Sequence, residues 1–539
     1  MKATYIDYSD TNSFSTGLIS YINQDPKLAP FISYNPDIEG FRLLLDNKTV
    51  QADRETLVNV LKEQYAAIRS GEIQDSNIVS ENIELLLKDT TYTITTGHQL
   101  NLFTGPLYFI FKIVTAINLS RELKANFPEK DFVPVYWMAT EDHDFEEINH
   151  THIGGKKIVW SYDAKGATGR LSTEEISSVI KEYTGILGIS DNAVKLADLI
   201  ETSYAQPTLA SATRYLVNAL FKEYGLLVID ADHAALKQQF AEIIYQDITE
   251  QNSFKTISSS IEKLETAGVH AQVNPRDINF FYLVDQLRER IVFENDKYQV
   301  LNTEIVFSEA ELKQEIHSHP ERFSPNVVMR PLYQEIILPN IAYIGGGAEV
   351  FYWLELKATF EHYAIDFPIL ILRNSALLDK GKSERTIEQL GFTPADLFKP
   401  ADELKKQWVL AHSEHTLNLS DEWQEFKCLF ERIKLRTHKI DPTLSVSADA
   451  VKARLEKAVH NLEKKLIKAE KRNYSDSLRR IDHLKDSLFP QGGLQERIEN
   501  FGLFYVSQGD EFIASLIETF KPLDFKFTIL HKEKVTSAY

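Results

Sequence analysis

The chain has 539 residues, of which 43% are hydrophobic and 25% are charged, and this composition is typical of a globular protein with two or more domains. Its 59 basic and 78 acidic residues give a net charge of -19, which disfavours binding to a phosphate backbone, so we expect no nucleic acid partner. No apolar stretch reaches the roughly 18 residues of a membrane span, and residues 1–13 lack the basic and apolar regions of a signal peptide. We therefore expect a cytoplasmic protein without membrane contact.

The pattern near the start of the chain predicts a helix that covers a sheet. Apolar residues recur every three or four positions at Leu57, Val60, Leu61, Tyr65 and Ile68. Two apolar runs, 91–94 and 132–139, then predict buried strands, and the apolar segment between them, 106–123, has the length of a helix. These three elements predict a β-α-β unit with parallel strands.

Further apolar runs predict that this unit belongs to a larger sheet. Residues 226–230 and 368–372 are typical of buried parallel strands, and a helical pattern over 208–224 precedes the first of them. Strands that alternate with helices over residues 1–390 predict an α/β core, a doubly wound parallel sheet. Two stretches interrupt this alternation, and we interpret them as insertions at about 163–207 and 250–325.

Beyond residue 390 the pattern changes to that of a helical hairpin. Apolar residues spaced by three and four recur on two strongly charged segments, which predicts a C-terminal α-helical coiled-coil domain over 391–493. The lone cysteine, Cys428, has apolar neighbours at helical spacing, which predicts a packed thiol. Residues 494–539 end in a strand-like run, so we expect this segment to return to the core.

Polar residues follow both strands of the β-α-β unit. Gly97-His98-Gln99 comes after the first strand, and residues 141–147, here called the acidic loop, bring five carboxylates and one imidazole after the second. In an open α/β sheet the carboxyl ends of the strands form the ligand crevice. We therefore expect His98 and the acidic loop to share one cavity.

The first of these loops has the features of an anion site. Thr104-Gly105-Pro106 predicts a helix start with a capping hydroxyl, and the free amides of such a start favour a phosphate. His98 and Gln99 lie upstream as further donors, and His98 could stabilise charge during phosphoryl or adenylyl transfer. The alternative is a structural turn whose histidine is only hydrogen-bonded.

The acidic loop offers ligands for a hydrated Mg²⁺, partners for a substrate amine and a candidate general base. Its first four polar residues are Glu141, Asp142, His143 and Asp144. His150 and His152 leave open a metal-dependent hydrolase or transferase, but no HExxH motif is present and we assign no metal site. The other alternative is a solvated loop that caps the next helix.

A third group of candidates lies further along the chain. Gly345-Gly346-Gly347 follows an apolar run that contains Tyr343, and glycines let a ligand approach the backbone closely. Arg330 could hold a carboxylate or phosphate and Glu349 an ammonium group, with Tyr352 shortly after. The alternative is a tight turn into a helix.

Five motifs together resemble the bacillithiol biosynthesis cysteine-adding enzyme family. They are Thr-Gly-His-Gln at 96–99, Phe-Thr-Gly-Pro-Leu-Tyr at 103–108, Glu-Asp-His-Asp-Phe-Glu-Glu at 141–147, Tyr-Ile-Gly-Gly at 343–346 and Leu-Gln-Glu-Arg at 494–497. The resemblance implies a Rossmann-type core with connecting-peptide insertions, related in layout to class I aminoacyl-tRNA synthetases. It also implies a coiled-coil domain that pairs two subunits as a homodimer.

The function implied by the resemblance is the last step in making a small thiol, in which a cysteine ligase joins cysteine through an amide to glucosaminyl malate. Amide formation needs an activated carboxylate, and the layout implies ATP, with Mg²⁺, for that activation. The competing hypotheses are the metal-dependent hydrolase or transferase and a non-catalytic coiled-coil scaffold.

With this resemblance, the candidate residues divide into three roles. The catalytic candidates are His98, Asp142, His143 and Asp144. The substrate-binding candidates are Gln99, Glu141, Arg330, Tyr343, Glu349 and Tyr352. The nucleotide-binding candidates are Gly97, His98, Thr104, Gly105, Gly345, Gly346 and Gly347. A weak P-loop match near Gly381 lacks a needed glycine at Ala376, so Lys380 and Lys382 receive no role.

Overall fold

The computed structural model describes residues 2–68, 77–379, 381 and 383–532. The chain forms two compact units, one from the described residues of 1–380 and 493–533, the other from those of 381–492. Lys380 and Lys382 lie outside the described residues.

The strands all lie in the first unit. In chain order they are β1 Lys2–Asp7, β2 Thr91–His98, β3 Asp131–Met138, β4 His150–Ile153, β5 Lys156–Val159, β6 Leu227–Asp230, β7 Phe280–Val284, β8 Leu287–Glu294, β9 Lys297–Val300, β10 Val306–Phe307, β11 Phe323–Pro325, β12 Asn340–Gly345, β13 Ile369–Leu372, β14 Ala376–Asp379 and β15 Lys526–His531. This distribution holds for the part of the chain that the structure describes.

The helices occur in both units. In chain order they are α1 Thr16–Ile22, α2 Ile38–Asn47, α3 Arg54–Ala66, α4 Asn77–Leu85, α5 Tyr108–Asn126, α6 Phe145–Ile148, α7 Ser177–Leu187, α8 Asp191–Tyr204, α9 Leu209–Phe221, α10 Ala234–Gln238, α11 Ala241–Glu250, α12 Asn252–Thr266, α13 Glu309–Ser318, α14 Arg330–Ile337, α15 Gly347–Leu354, α16 Lys357–His362, α17 Glu384–Leu390, α18 Ala401–His412, α19 Ser420–Ile440, α20 Leu444–Glu470, α21 Ser475–Leu488, α22 Gly502–Gln508 and α23 Glu511–Thr519. In the described part of the chain, none is long and apolar enough to cross a membrane.

The central sheet has five parallel strands in the order β13-β12-β2-β3-β6. Counted among themselves along the chain, these strands lie in the order 5-4-1-2-3, which is the first five strands of the Rossmann order 3-2-1-4-5-6 seen from the other edge. The order reverses between β2 and β12. Ligands bind outside the carboxyl ends of the strands at such a switch point, so the sheet itself indicates where the site lies.

Helices cover both faces of this sheet. Tyr136 of β3 packs edge to face on Phe109 of α5, with ring centroids 5.2 Å apart. The next residue, Trp137, packs on Tyr333 of α14 at 5.6 Å. Because successive strand residues point to opposite faces, α5 and α14 lie on opposite sides of the sheet. The predicted doubly wound α/β sheet is confirmed.

The two regions interpreted as insertions have different structures. The earlier one, about 163–207, contains α7 and α8, and the later one carries the antiparallel sheet β10-β9-β8-β7-β11 beside α12 and α13. The antiparallel hairpin of β4 and β5 precedes the earlier insertion. The two-residue turn Gly154-Gly155 sets this register, since both glycines have positive φ, as tight hairpins require.

The end of the first unit is built from distant parts of the chain. β15 lies between β1, to which it runs antiparallel, and β14, to which it runs parallel. The first strand and the last strand of the described chain are therefore neighbours.

The second unit is helical. α19 and α20 form an antiparallel hairpin across a short loop, with ion pairs from Lys434 to Asp449 and from Lys452 to Glu431. Cys428 on α19 is exposed, so the prediction of a packed thiol was wrong. The reason is that the hairpin has two helices only, and each leaves part of its apolar stripe uncovered. Exposed apolar side chains include Leu435, Ile440 and Val446.

Candidate active site

A cavity of about 740 Å³ opens at the carboxyl ends of the central strands, beside the switch point between β2 and β12. Its volume is that of a small-molecule site. The ends of β2 and β3, the first turn of α15 and residues of the later insertion line it. His98 and the acidic loop share this cavity, which is the placement expected from the sequence.

Most of the predicted site residues line the cavity. These residues are Gly97, His98, Gln99, Glu141, Asp142, His143, Arg330, Tyr343, Gly346, Gly347, Glu349 and Tyr352. The remaining four are not part of its lining. They are Thr104, Gly105, Asp144 and Gly345.

Thr104 and Gly105 belong to a structural turn. Helix α5 begins only at Tyr108 and has no side-chain cap, so the predicted capped start at Thr104 was wrong. Thr104 has a φ of 70°, and Gly105 has a φ of 65° with Asn101 so close that an added Cβ would lie 2.7 Å from its side chain. The Gly105 carbonyl accepts a hydrogen bond of 2.8 Å from Asn500 Nδ2. Packing against the C-terminal segment therefore fixes this turn.

Asp144 and Gly345 have local structural roles. Asp144 is exposed and caps α6, where its Oδ1 accepts from the Glu147 amide at 3.4 Å. Gly345 ends β12, and its carbonyl accepts from the Arg373 amide at 2.8 Å. An added Cβ at Gly345 would lie 3.0 Å from Glu349 Cβ, so glycine here lets Glu349 approach the strand end.

His98 ends β2 and lies between the rings of Tyr108 and Phe109, with centroids 5.2 and 5.4 Å away. Burial, reinforced by the nearby positive charge of Lys112, lowers the pKa of His98 to about 3. The imidazole is therefore neutral at pH 7. Its buried Nε2 has no hydrogen-bond partner among the described residues. A buried polar atom without a partner in a ligand cavity is one that a ligand or water can satisfy.

Lys112 is a site residue that the sequence argument missed. It projects from the buried helix α5, donates to the Gly97 carbonyl at 2.9 Å and lies 2.5 Å from Glu349 Oε2. Glu349 also accepts from the Tyr343 hydroxyl at 2.9 Å and from the Gly346 amide at 2.8 Å. Burial opposes its charge, but Lys112 holds the pKa of Glu349 below its usual value. The signal was a single charged residue within the apolar run 107–119.

Arg330 is the cation of this wall with no carboxylate within ion-pair distance among the described residues. Its Nη1 donates to Gln334 at 3.0 Å, and its guanidinium lies 5.9 Å from the Trp137 ring and 5.6 Å from the Tyr343 ring. Neutral and aromatic neighbours hold the group in place, and Glu349 acts on its charge only from beyond ion-pair distance. Arg330 is therefore available to an anionic ligand.

The carboxylates of the acidic loop differ in their partners. Glu141 forms an ion pair with the buried Lys237, and burial raises the pKa of Glu141 against the effect of that lysine. Gln99 donates from Nε2 to Asp142 and to Glu147, both at 2.7 Å, and so ties the two predicted loops together. Asp142 lines the cavity without a lysine partner, and its cationic neighbour Arg288 is 4.0 Å away.

His143 has a defined tautomer because of Arg288. Arg288, from β8 of the later insertion, donates from Nη1 to His143 Nδ1 at 2.6 Å and lies 4.0 Å above the Phe281 ring. A guanidinium only donates, so Nδ1 accepts and the proton lies on Nε2. Burial and then Arg288 lower the pKa of His143, so the ring is neutral and its Nε2 is a donor.

The residues of the metal hypothesis are not assembled. His150 and His152 lie outside the cavity lining, with ring centroids 5.6 Å apart. Within the described ranges, no three side chains of His, Cys, Asp or Glu are grouped to hold a metal ion.

Two family models match this chain and together cover almost all of it. Residues 1–374 match the N-terminal Rossmann-like domain of bacillithiol biosynthesis BshC, and residues 376–532 match its C-terminal coiled-coil domain. The chain belongs to the BshC family. The family resemblance predicted from the motifs is confirmed, as are the Rossmann-type core and the coiled-coil domain.

Relatives in this family match the chain from end to end. A protein of Flavobacterium johnsoniae is 45% identical over 98% of this chain and 100% of its own length. One of Flavobacterium psychrophilum is also 45% identical, over 98% and 99%, and one of Christiangramia forsetii is 41% identical over 98% and 99%. Each of these BshC proteins bears the name of an inferred cysteine ligase.

A solved structure also gave a match, titled an inferred arginyl-tRNA synthetase from Campylobacter jejuni. It is 12% identical, covers 86% of this chain and 96% of its own, and has a TM-score of 0.20. A TM-score this low does not show that the two proteins share a fold.

Proposed function

We propose that this protein is a cysteine ligase that joins the carboxyl group of cysteine to the amine of glucosaminyl malate in the last step of bacillithiol biosynthesis. The observation that carries the proposal is one cavity with an arginine that has no ion-pair partner among the described residues, a neutral imidazole and an acidic loop. Such a cavity suits reactants that carry both carboxylate and ammonium groups. The names of the relatives support the same activity.

We assign the positions of the reacting groups from the charges of the two walls. Arg330 is the partner for a carboxylate or phosphate, since no described carboxylate lies within ion-pair distance of it. Asp142 is the partner for an amine, because Glu141 is already paired with Lys237. Glu349 has Lys112, Tyr343 and Gly346 as partners, so its main role is to fix the wall.

ATP is the activating reactant in this proposal, with Mg²⁺ as its counterion. The lining suits a phosphate chain, because Arg330 and the neutral His98 line the same cavity as Gly346 and Gly347. ATP would supply a good leaving group for the carboxyl oxygen. Gln99, which was expected at the phosphates, instead holds Asp142 and Glu147.

The chain's own residues then serve the amide-forming step. The C–N bond forms as the bond between the carboxyl carbon and its activated oxygen breaks, and that oxygen leaves with the activating group. The ammonium nitrogen releases one proton before attack and a second as the amide forms, both to water by way of Asp142, and it keeps its third hydrogen in the amide. His98 is neutral, so its Nε2 can donate to or accept from the reacting atoms without burying a charge. His143 Nε2–H can donate to a developing oxyanion, whereas Asp142 can hold the amine.

The direct test is purified protein incubated with cysteine, glucosaminyl malate and ATP, with mass spectrometry of the product thiol. We expect the thiol with wild type, its loss with His98→Ala, and wild-type amounts with the matched control His150→Ala, whose histidine lies outside the cavity. Folded wild-type protein that forms no thiol under these conditions contradicts the proposal.

We also propose that the protein works in the cytoplasm, where ATP and cysteine are both available, as a homodimer paired through the second unit. The support for pairing is the apolar surface left exposed on the α19–α20 hairpin, where Leu435 is 65% and Val446 is 73% exposed. Sedimentation should give a dimer for wild type and a monomer for a variant with Leu435→Lys and Val446→Lys. A wild-type monomer at micromolar concentration contradicts the homodimer.

A further inference from the structure

A second, smaller cavity of about 340 Å³ adjoins the candidate active site within the first unit. Its walls are residues 13–18 before and within α1, residues 268–272 after α12, and the first turn of α15. It shares Gly347, Ala348 and Arg497 with the larger cavity. The two cavities are therefore adjacent, and Arg497 belongs to the lining of both.

The smaller cavity has a lining suited to a hydroxylated anion. None of the described residues that line it is Asp or Glu, although the whole chain has a net charge of -19. Thr16 brings a hydroxyl group, and His270 and Arg497 bring an imidazole and a guanidinium. The hydroxyl groups of Ser13 and Ser15 are bonded to the Thr11 carbonyl and the Leu18 amide. The acidic wall of the larger cavity has no counterpart here.

Arg497 is presented by an anchored turn. Gln495 binds both the amide and the carbonyl of Leu378, at 2.9 and 3.2 Å. Glu496 accepts from Arg373 Nη2 at 2.7 Å and from the Ala376 amide at 2.9 Å, and it is fully buried. These bonds fix the backbone that carries Arg497.

The turn fixes the backbone of Arg497 but gives its side chain no ion-pair partner. Its side chain is exposed and lines both cavities, and none of the ion pairs among the described residues includes it. In the Leu-Gln-Glu-Arg motif at 494–497, Gln495 and Glu496 fix the turn, and the guanidinium of Arg497 can bind a ligand. None of the roles assigned above uses that cation.

We propose that Arg497 and the smaller cavity bind the carboxylate end of the acceptor, so that the acceptor spans both cavities with its amine in the larger one. The identity of that end as the malyl group rests on the proposed function. A guanidinium binds a carboxylate through two parallel hydrogen bonds, which gives both affinity and orientation. The Thr16 hydroxyl offers a further hydrogen bond to the same ligand.

The kinetic test compares glucosaminyl malate with glucosamine, which has the amine but no malyl group. Loss of hydrogen bonds to a charged group should raise KM for glucosaminyl malate roughly 10- to 100-fold in Arg497→Gln. The KM values for cysteine, ATP and glucosamine should stay unchanged, and Arg497→Lys should recover part of the loss. The matched control is Arg436→Gln, an exposed arginine on α19 of the second unit. An equal effect of Arg497→Gln on both acceptors overturns the proposal.

A binding test separates this proposal from the ligase activity. Calorimetry without ATP or cysteine measures glucosaminyl malate and free malate on wild type and on Arg497→Gln. Arg497-dependent binding supports the subsite even if no thiol forms, and binding of free malate identifies the malyl carboxylates as the recognised group. Affinities that do not change in Arg497→Gln, or wild type that binds neither compound, overturn the subsite while a thiol-forming enzyme still stands.

Discussion

The two walls of the larger cavity hold their charges in different ways. At the switch point, Lys112 and Glu349 form an ion pair within the protein, and His98 is buried as a neutral ring. In the acidic loop, Asp142 and His143 remain partly exposed and depend on Arg288 from an insertion. The buried wall is preorganised by the sheet, whereas the exposed wall depends on a neighbouring module for its geometry.

The largest effect should follow from breaking the buried pair. Lys112→Met leaves Glu349 without its cation. Removal of one partner of a buried ion pair costs about 3–5 kcal/mol of unfolding free energy, and we expect about 3 kcal/mol here because the Glu349 side chain is 27% exposed. Urea denaturation measures this loss. The double variant with Glu349→Gln should recover much of it, and a double variant as unstable as Lys112→Met would show that the pair is not the cause.

Burial of His98 should make the free energy of unfolding decrease at low pH. Its folded pKa of about 3 lies below the unfolded value near 6.5, so the unfolded chain binds the extra proton as pH falls below 6.5. Stability should therefore decline from pH 6.5 towards pH 4, and His98→Leu should remove roughly 2.7 kcal/mol of that decline at pH 4.5. Parallel pH profiles of wild type and variant would contradict the buried neutral ring.

A smaller effect is expected where the exposed wall meets the insertion. Arg288→Met removes both the positive charge and the donor at Nδ1, so the pKa of His143 should rise towards its usual value, although burial still lowers it. Histidine NMR with ¹⁵N labelling reads both the pKa and the tautomer. A His143 signal that keeps its proton on Nε2 and its pKa in Arg288→Met would remove Arg288 from this role.

The smallest effect should distinguish neighbouring carboxylates of the acidic loop. Asp144→Ala removes a helix cap and should cost about 0.5–1 kcal/mol of unfolding free energy with thiol formation retained. Asp142→Asn should instead lower thiol formation with little loss of stability. Equal thiol formation by wild type and Asp142→Asn would take Asp142 out of the site.

The sequence predicted the parts of this molecule that follow from local pattern and chain order. Apolar runs located the strands of the central sheet, and polar residues after them placed His98 and Asp142 at the same edge. Thr104 was misjudged because its turn is fixed by Asn500, which is distant in sequence. A capping pattern depends only on residues that are neighbours in sequence, so it cannot predict a contact with Asn500.

The missed site residues also come from distant segments. Arg288 reaches the cavity from an antiparallel sheet whose register no local pattern specifies, and Arg373 is held by Glu496 across the fold. Lys112 did carry a signal, since a charged residue inside an apolar helix needs a partner. The partner could not be named before the sheet order was known.

The placement of β15 has a consequence for synthesis on the ribosome. Among the described residues, β1 has no partner strand until β15 has been synthesised, and Arg373 has no ion-pair partner until Glu496 has been synthesised. A chain released early by interrupted translation therefore carries an unpaired edge and an uncompensated arginine. Such fragments cannot complete the pocket, and they present the exposed features by which quality-control proteases recognise incomplete products.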